Sequence, residues 1–404
     1  MRPSDLAYLS LRRRPVSSLL ALFSLGLALG MGGWILNLYG SVFASIETRE
    51  PGIDVILGPK SNGLSILLDS IHLAGGNPDV IDYYMIDTIE KEIAPRLVIP
   101  IAQFAEFRNI PVIGTDDSFR QRPDDCSPPL LAAGRWFNLH VEEVVAGARA
   151  SLKTGLGVGD SFVARSVIST ATGEPVWQRR MLVVGVLKPS GLPRDNAIFT
   201  HIPQAWSSHK AAIAAGRLRT VKGGRGVNAF LIGLDPTKPE QKEKIHDMFQ
   251  VGSNAQVVDV EEEISGLRQL LGQGQRALAG LAALLVLLAV AVATLLFSER
   301  FETMKKELGV LRALGYTRLQ VASAILWEGV FLSLLGISLG MVIERIGHLV
   351  TPLVWNPPWL LLPEWPSPTL CVLWATALLT SLLATVLPLW RLYRWDAHDS
   401  LKGM

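Results

Sequence analysis

Acid–base and metal chemistry need histidines, cysteines or carboxylates at short, repeated spacings, and this chain has the residue types without the spacings. His72, His140, His201, His209 and His246 are scattered through one long polar stretch, with no His-x-His or His-x-x-x-His step and no cysteine beside them. Cys126 and Cys371 lie far apart, the second inside an apolar run, so neither a disulfide framework nor a thiolate metal site is expected. Acids gather in "GTDDS" (114–118) and "PDDC" (123–126), but Gly, Pro, Ser and Asp in company read first as turns. The glycines of "GLGVGDS" (155–161) lack the Gly-Lys-Ser/Thr ending of a phosphate loop. No Gly-x-Ser-x-Gly elbow and no His-Glu-x-x-His is present. The reading is therefore of no catalytic residue, no metal site and no nucleotide hydrolysis by this polypeptide, and a membrane enzyme with an outer active site finds no constellation to support it.

One stretch does combine charge with spacing. In "KKELGVLRALGYTRLQV" (305–321), Lys305, Lys306, Arg312 and Arg318 accompany Glu307, while Phe301, Met304, Leu308, Leu311 and Leu314 recur at three- and four-residue steps. Glu302 and Lys306 form an i,i+4 pair, and Gly315 suits a helix C-cap. Such a helix can dock its apolar stripe in a groove on a soluble partner, or lie on a membrane surface with no partner at all.

The surroundings decide which elements hold it. The 404 residues have a mean hydropathy of +0.31 and a net charge of +2, a balance that fits a mixed membrane and soluble architecture and gives no case for binding nucleic acid. Spanning a bilayer takes about 20 apolar residues as a helix, and four stretches qualify: 16–43, 277–297, 321–343 and 369–390. The first follows Arg12, Arg13 and Arg14 like a secretory signal, but its apolar run is too long for one and no small-x-small cleavage site follows it. It reads as an uncleaved span. Lys and Arg flank the spans at 1–15, 298–320 and 391–404, whereas the 344–368 loop carries Pro and Trp355, Trp359 and Trp365. Both termini and the 298–320 loop are thus expected in the cytoplasm, with 44–276 and 344–368 on the outer side.

The fold class expected is an α-helical membrane domain of four transmembrane helices plus a large mixed α/β extracytoplasmic domain inserted between helices 1 and 2. Strand-like runs fall at 53–58, 96–102, 111–115, 142–148, 180–187 and 229–234, and helical patterns at 63–73, 128–133, 203–216 and 239–250. A further helix over 260–280 is expected to run straight into the second span. Within the spans, Gly26-x-x-x-Gly30 and Gly336-x-x-x-Gly340 permit close helix packing, contacts between two copies among them. Glu328 is an intramembrane acid, for which a structural or coupling role is favoured over proton transport. Glu344 and Arg345, at the other end of that span, can snorkel to the interface.

Together, the four spans, the large insertion after the first and "ERFETMKKELGVLRALGYTRLQVASAILWEG" (299–329) resemble the permease subunits of the MacB/LolCE/FtsX superfamily, the type VII ABC systems. The segment 134–162, "GRWFNLHVEEVVAGARASLKTGLGVGDSF", is similar to that family's periplasmic pattern of a Gly-Arg turn, a Glu-Val-Val strand, a short helix and a Gly-Asp turn. The segment 179–202 resembles the strand and turn that follow, and 388–403 the family's basic tail. Residues 45–130 depart from the pattern most. The resemblance implies a permease of the bacterial inner (plasma) membrane that pairs with a second copy as a homodimer and with a dimer of ABC ATPase subunits. It further implies a periplasmic adaptor or substrate-binding protein and membrane lipid as partners. No cofactor is implied in this chain, ATP and Mg belonging to the ATPase. Glu307, Leu311, Arg312, Ala313, Leu314, Gly315 and Arg318 then form the ATPase-coupling helix. The function implied is passage of ATPase-driven movement to the outer domain, to export or extract a lipid, lipoprotein, peptide or drug. Signalling to an extracytoplasmic enzyme is the alternative.

Overall fold

A computed structural model describes residues 15–48, 50–73, 79–120, 131–138, 142–170, 172–218, 221–250, 254–313, 317–354, 366–368 and 370–379. Two units divide the chain: a helical unit of 1–42, 270–356 and 361–404, and a sheet unit of 43–269 with 357–360.

The sheet unit contains twelve described strands. In chain order its elements are β1 (Val55–Pro59), α2 (Gly63–Ser70), β2 (Ile81–Asp82), α3 (Met85–Glu92), β3 (Leu97–Phe107), β4 (Ile110–Thr115) and β5 (Leu131–Gly134). They continue with β6 (Glu143–Ala146), α4 (Ala148–Thr154), β7 (Ser161–Ser166), β8 (Gln178–Leu187), β9 (Ile198–His201) and α5 (Pro203–Ala214), then β10 (Gly226–Val227), β11 (Ala229–Gly233), α6 (Glu240–Gln250) and β12 (Ala255–Asp259). The main sheet runs β12-β1-β11-β3-β4-β9-β6-β8-β5, and β7 pairs with both β3 and β8. The strands β3-β4-β9-β6-β8-β7 therefore close into a ring, and β12-β1-β11 extend from it as an open flank. The long strand β3 serves both: Leu97–Ile101 pair with β11, and Ala102–Phe107 pair with β4. A shift in register between Gln103 and Ala105 falls early in the β4 pairing, where the strand passes from flank to ring.

Local chemistry explains the corners. Arg108 and Asn109, at φ 48° and 65°, join β3 to β4 as a two-residue turn of the kind that matches strand twist. Asn62 caps α2 through Leu64 N–H at 3.1 Å. The "GTDDS" acids form such a corner too, Asp116 Oδ1 accepting Ser118 N–H at 3.0 Å. Two apolar layers flank the sheet because alternate residues of one strand face opposite ways. Val55 and Leu57 join Ile89, Ile245 and Phe249 on one face, while Ile56 joins Ile66, Leu67 and Ile264 on the other.

One expected helix is a strand. Residues 131–134 form β5 on β8, Leu131 opposite Leu187 and Gly134 opposite Gly185; residues 128–130 lie outside the described residues. The helix propensity of Leu-Leu-Ala-Ala yields to pairing with β8, on which Leu131 is half-buried. The pattern reading also passed over β2, β7, β9, β10 and β12, and α3.

In the helical unit, α1 (Pro15–Glu47) and α8 (Arg318–Val354) are long apolar helices, and α7 (Val260–Ala313) is a single helix of 54 residues whose first part belongs to the sheet unit. Among the described residues three helices are long and apolar enough to cross a membrane, at Ser18–Ser45, Val260–Leu288 and Leu326–Val354. A shorter apolar helix, Leu370–Leu379, covers part of the expected fourth span, of which 380–390 lie outside the described residues. Residues 298–313, expected as a loop with its own short helix, are instead the end of α7. From Ser298 to Leu308 no Gly or Pro interrupts a run of good helix formers, so the backbone ladder continues.

Candidate functional site

Two glycine pairs set the geometry of the helical unit. A Cβ on Gly26 would lie 2.7 Å from Leu339 Cδ2, and one on Gly30 would lie 2.6 Å from Ile343 Cβ and 2.9 Å from the Gly340 carbonyl. Reciprocally, a Cβ on Gly336 would meet Leu25 at 2.8 Å and one on Gly340 would meet Leu29 at 3.0 Å. Both motifs thus face each other within one chain, and hydrogen in place of a side chain lets the backbones close. Partners on both helices rise together in number, Leu25 with Gly336, Gly30 with Ile343 and Trp34 with Gly347, so α1 and α8 run parallel.

Beyond the glycines the seam becomes polar. Asn37 Nδ2 donates to Glu344 Oε1 at 3.3 Å, and Trp34 Nε1 donates to Thr351 Oγ1 at 3.1 Å. Glu344, expected to snorkel outward, has no exposed surface at all, and Asn37 and Thr351 are buried with it. The reason is the seam itself: Glu344 follows Gly340 by one turn and packs beside Gly33, whose added Cβ would lie 3.7 Å from the Glu344 Cγ. Its carboxylate has a donor there instead of water. Sequence reasoning missed Asn37 as its partner, since only register aligns positions 307 residues apart. Glu328, on the same helix, is also buried.

Of the expected coupling residues, Glu307, Leu311, Arg312 and Ala313 fall in the last turns of α7, and Arg318 opens α8. Leu314 and Gly315 lie outside the described residues. The five described residues therefore lie at the facing ends of two long helices that are consecutive in the chain.

The sheet unit gives its Gly-Arg segment a structural explanation. Gly134 sits at φ +79°, and a Cβ there would come within 2.1 Å of the Val184 carbonyl. The turn delivers Arg135 to Glu143 as a fork: Nη1 to Oε2 at 2.7 Å and Nη2 to Oε1 at 2.5 Å, with Asn138 N–H adding a third bond at 3.0 Å. The Arg135 guanidinium holds the Glu143 carboxyl below its ordinary pKa. Gly155 ends α4 at φ 75°, and Asp160 Oδ2 accepts Gly157 N–H at 2.8 Å, closing the "GLGVGDS" turn on itself rather than leaving a phosphate cradle. His209 is buried on α5, and desolvation pushes its pKa down to about 4. His140 and Cys126 lie outside the described residues. Among the described residues no cluster of three His, Cys, Asp or Glu side chains is arranged to hold a metal ion.

Comparison with known proteins bears on the C-terminal helices. No curated protein matches the chain. Residues 279–396 match the model of the FtsX-like permease C-terminal family, a stretch that takes in the end of α7, its connection to α8 and all of α8. That match and the long apolar helices support an ABC transporter permease subunit, a membrane protein with a large sheet-rich domain.

Proposed function

We propose that the chain is the transmembrane permease subunit of an ATP-binding cassette complex, which passes ATPase-driven movement to its sheet domain to export or extract a substrate. The family match over 279–396 carries this reading. The continuity of α7 supports it, since one helix includes Ile264 in the core of the sheet unit and ends at Ala313, beside the connection to α8. In this reading the α7–α8 connection faces the cytoplasm and docks on a separate ABC ATPase dimer, which holds the ATP and Mg. Glu307, Leu311, Arg312, Ala313, Leu314, Gly315 and Arg318 make the contact. Both termini are cytoplasmic, the sheet domain lies outside the inner membrane, and the permease works as a pair of copies.

The test is ATP hydrolysis by the complex in lipid. Replacing Leu311 and Leu314 with Asp puts charge on the apolar stripe, and loss of a docking helix contact of this kind should lower permease-dependent ATPase activity by about tenfold or more. Unchanged activity in the double variant, with the complex still assembled, would refute the docking assignment.

A further inference from the structure

The end of α1 and the segment that follows it carry three bonded carboxylates, Glu47, Glu50 and Asp54. Glu47 Oε1 accepts Arg268 Nε of α7 at 2.7 Å. Asp54 Oδ2 accepts Leu234 N–H at 2.8 Å, and its carbonyl accepts the N–H of Val260, the first residue of α7, at 3.1 Å. Both of these ties lead to the open flank and to α7. Glu50, between them, reaches elsewhere. Its Oε2 accepts Arg194 Nη1 at 3.2 Å and its Oε1 accepts the Arg194 backbone N–H at 3.3 Å. Arg194 lies on the turn Pro193–Asn196 between β8 and β9, two strands of the closed ring.

That turn is tightly held. Asp195 accepts from Ser190 N–H and Gly191 N–H, each at 2.8 Å, and from Ser190 Oγ at 2.8 Å, while Arg194 Nε donates to Ser190 Oγ at 3.3 Å. Behind it, a Cβ on Gly147 would come within 2.5 Å of the Arg194 and Asp195 carbonyls, so the turn backs directly onto the start of α4. Glu50 is thus bonded to a turn that is itself tied to Ser190 and Gly191 and packed on the start of α4. Both side chains of the pair are nearly fully buried, at 3% and 5% exposure. A buried ion pair usually stabilises no better than apolar residues of the same volume, whereas it fixes which groups sit together. The Glu47–Arg268 pair is half-exposed and screened by water, so it holds position weakly.

We propose that the Glu50–Arg194 ion pair is the transmission contact of the sheet domain, carrying displacement of the α1 end into the strand ring. This rests on the permease reading above. Asp54 thus ties this segment to the flank and α7, and Glu50 ties it to the ring.

Hydrogen exchange on the full chain, assembled with its ABC ATPase in lipid nanodiscs, tests this. Exchange of peptides covering 186–201 is measured without nucleotide and with ATP plus vanadate, alongside the ATPase rate. The wild type is expected to show a nucleotide-dependent change in these peptides. Glu50→Gln should shrink that change by about fivefold or more, with nucleotide-free protection retained and the ATPase rate within about twofold of wild type. Glu47→Gln should leave it intact. If Glu50→Gln loses nucleotide-free protection across the domain, Arg194→Lys decides, since it keeps the charge and the backbone N–H bond but loses the guanidinium that joins Glu50 to Ser190. A diminished change in Arg194→Lys with native protection supports the contact, and a full change overturns it. A full nucleotide-dependent change in Glu50→Gln also overturns it, and leaves the permease reading standing. No change in the wild type, with ATP being hydrolysed, also overturns this contact, whereas an ATPase rate that does not depend on the permease defeats the permease reading itself.

Discussion

The two units solve packing with different chemistry. In the sheet unit, the flank strands β1 and β11 are buried on both faces, with no exposed residue along their length. Apolar area removed from water supplies the driving force there, and polar groups fix corners: Arg135 on Glu143, Asp116 on Ser118, Arg194 on Glu50. The helical unit turns much of its apolar surface outward, with Leu287, Leu288, Leu334, Leu335 and Val342 all exposed. A lipid surround gives those side chains nothing to gain by meeting one another. Contact between α1 and α8 therefore depends on shape, through Gly26, Gly30, Gly336 and Gly340, and on the Asn37–Glu344 and Trp34–Thr351 bonds. Glycine has opposite meanings in the two places. At Gly134 it supplies a backbone angle, and at Gly30 it supplies room.

The sharpest way to break that contrast is Gly134→Ala. A methyl at φ +79° with its Cβ 2.1 Å from the Val184 carbonyl cannot be accommodated by a rotamer change, because the obstacle is backbone. We expect at least about 3 kcal/mol of lost stability from the clash and the strained angle together, and loss of the Arg135–Glu143 fork. Thermal unfolding followed by tryptophan fluorescence reads it. A variant that unfolds within a degree or two of wild type would mean that the turn does not need glycine.

Burial of a titratable group distinguishes the sheet unit next. His209 has a folded pKa of about 4 against 6.5 in the unfolded chain, with desolvation the main cause and a hydrogen bond to the Gly226 backbone opposing it. Above pH 6.5 neither state holds the proton. Between 6.5 and about 4 the unfolded chain holds it and the folded one does not, so stability falls as pH falls through that window. At about 1.4 kcal/mol per unit the loss reaches about 3 kcal/mol near pH 4. Glu143, whose folded pKa is depressed, adds its own loss only on going below its ordinary 4.5. Denaturant titrations at pH 7, 5.5 and 4.5 should therefore show a decline that His209→Gln flattens. An equal slope in both proteins would place the acid sensitivity elsewhere.

The sequence was most readable where one signal decides the outcome. Long apolar runs placed α1 and α8, and alternating or continuous β-branched runs placed β1, β4, β8 and β11, of which β1, β4 and β11 are buried along their whole length. It was least readable where partners decide. Residues 131–134 have helical composition and become a strand only because β8 offers an edge. Strand β7, "SFVARS", alternates cleanly in exposure yet is short and polar, and its place depends on closing the ring between β3 and β8. The candidate site divides in the same way. The Gly-x-x-x-Gly spacing announced close packing, but its partner, the matching motif 310 residues on, is a fact of register that spacing does not hold. Glu344 was placed at an interface by position alone, because nothing in its neighbours names Asn37.

The smallest expected effect returns to room rather than angle. Gly30→Leu puts a side chain where a Cβ alone would meet Ile343 at 2.6 Å and the Gly340 carbonyl at 2.9 Å, so α1 and α8 must separate. Overpacking of this kind costs about 1–3 kcal/mol. It also lengthens the Asn37–Glu344 bond one to two turns further along, leaving a buried carboxylate with a poorer donor. Gly40→Ala is the internal comparison, since nothing lies within 4 Å of its added Cβ and the helix gains about 1 kcal/mol from the better helix former. Both substitutions add apolar bulk to the same helix, so a general intolerance of α1 to change would lower both. Packing through the seam predicts opposite signs. Thermal stability of the detergent-purified chain should fall for Gly30→Leu and hold or rise for Gly40→Ala, and a fall of similar size in both would remove the α1–α8 seam as the reason glycine stands at position 30.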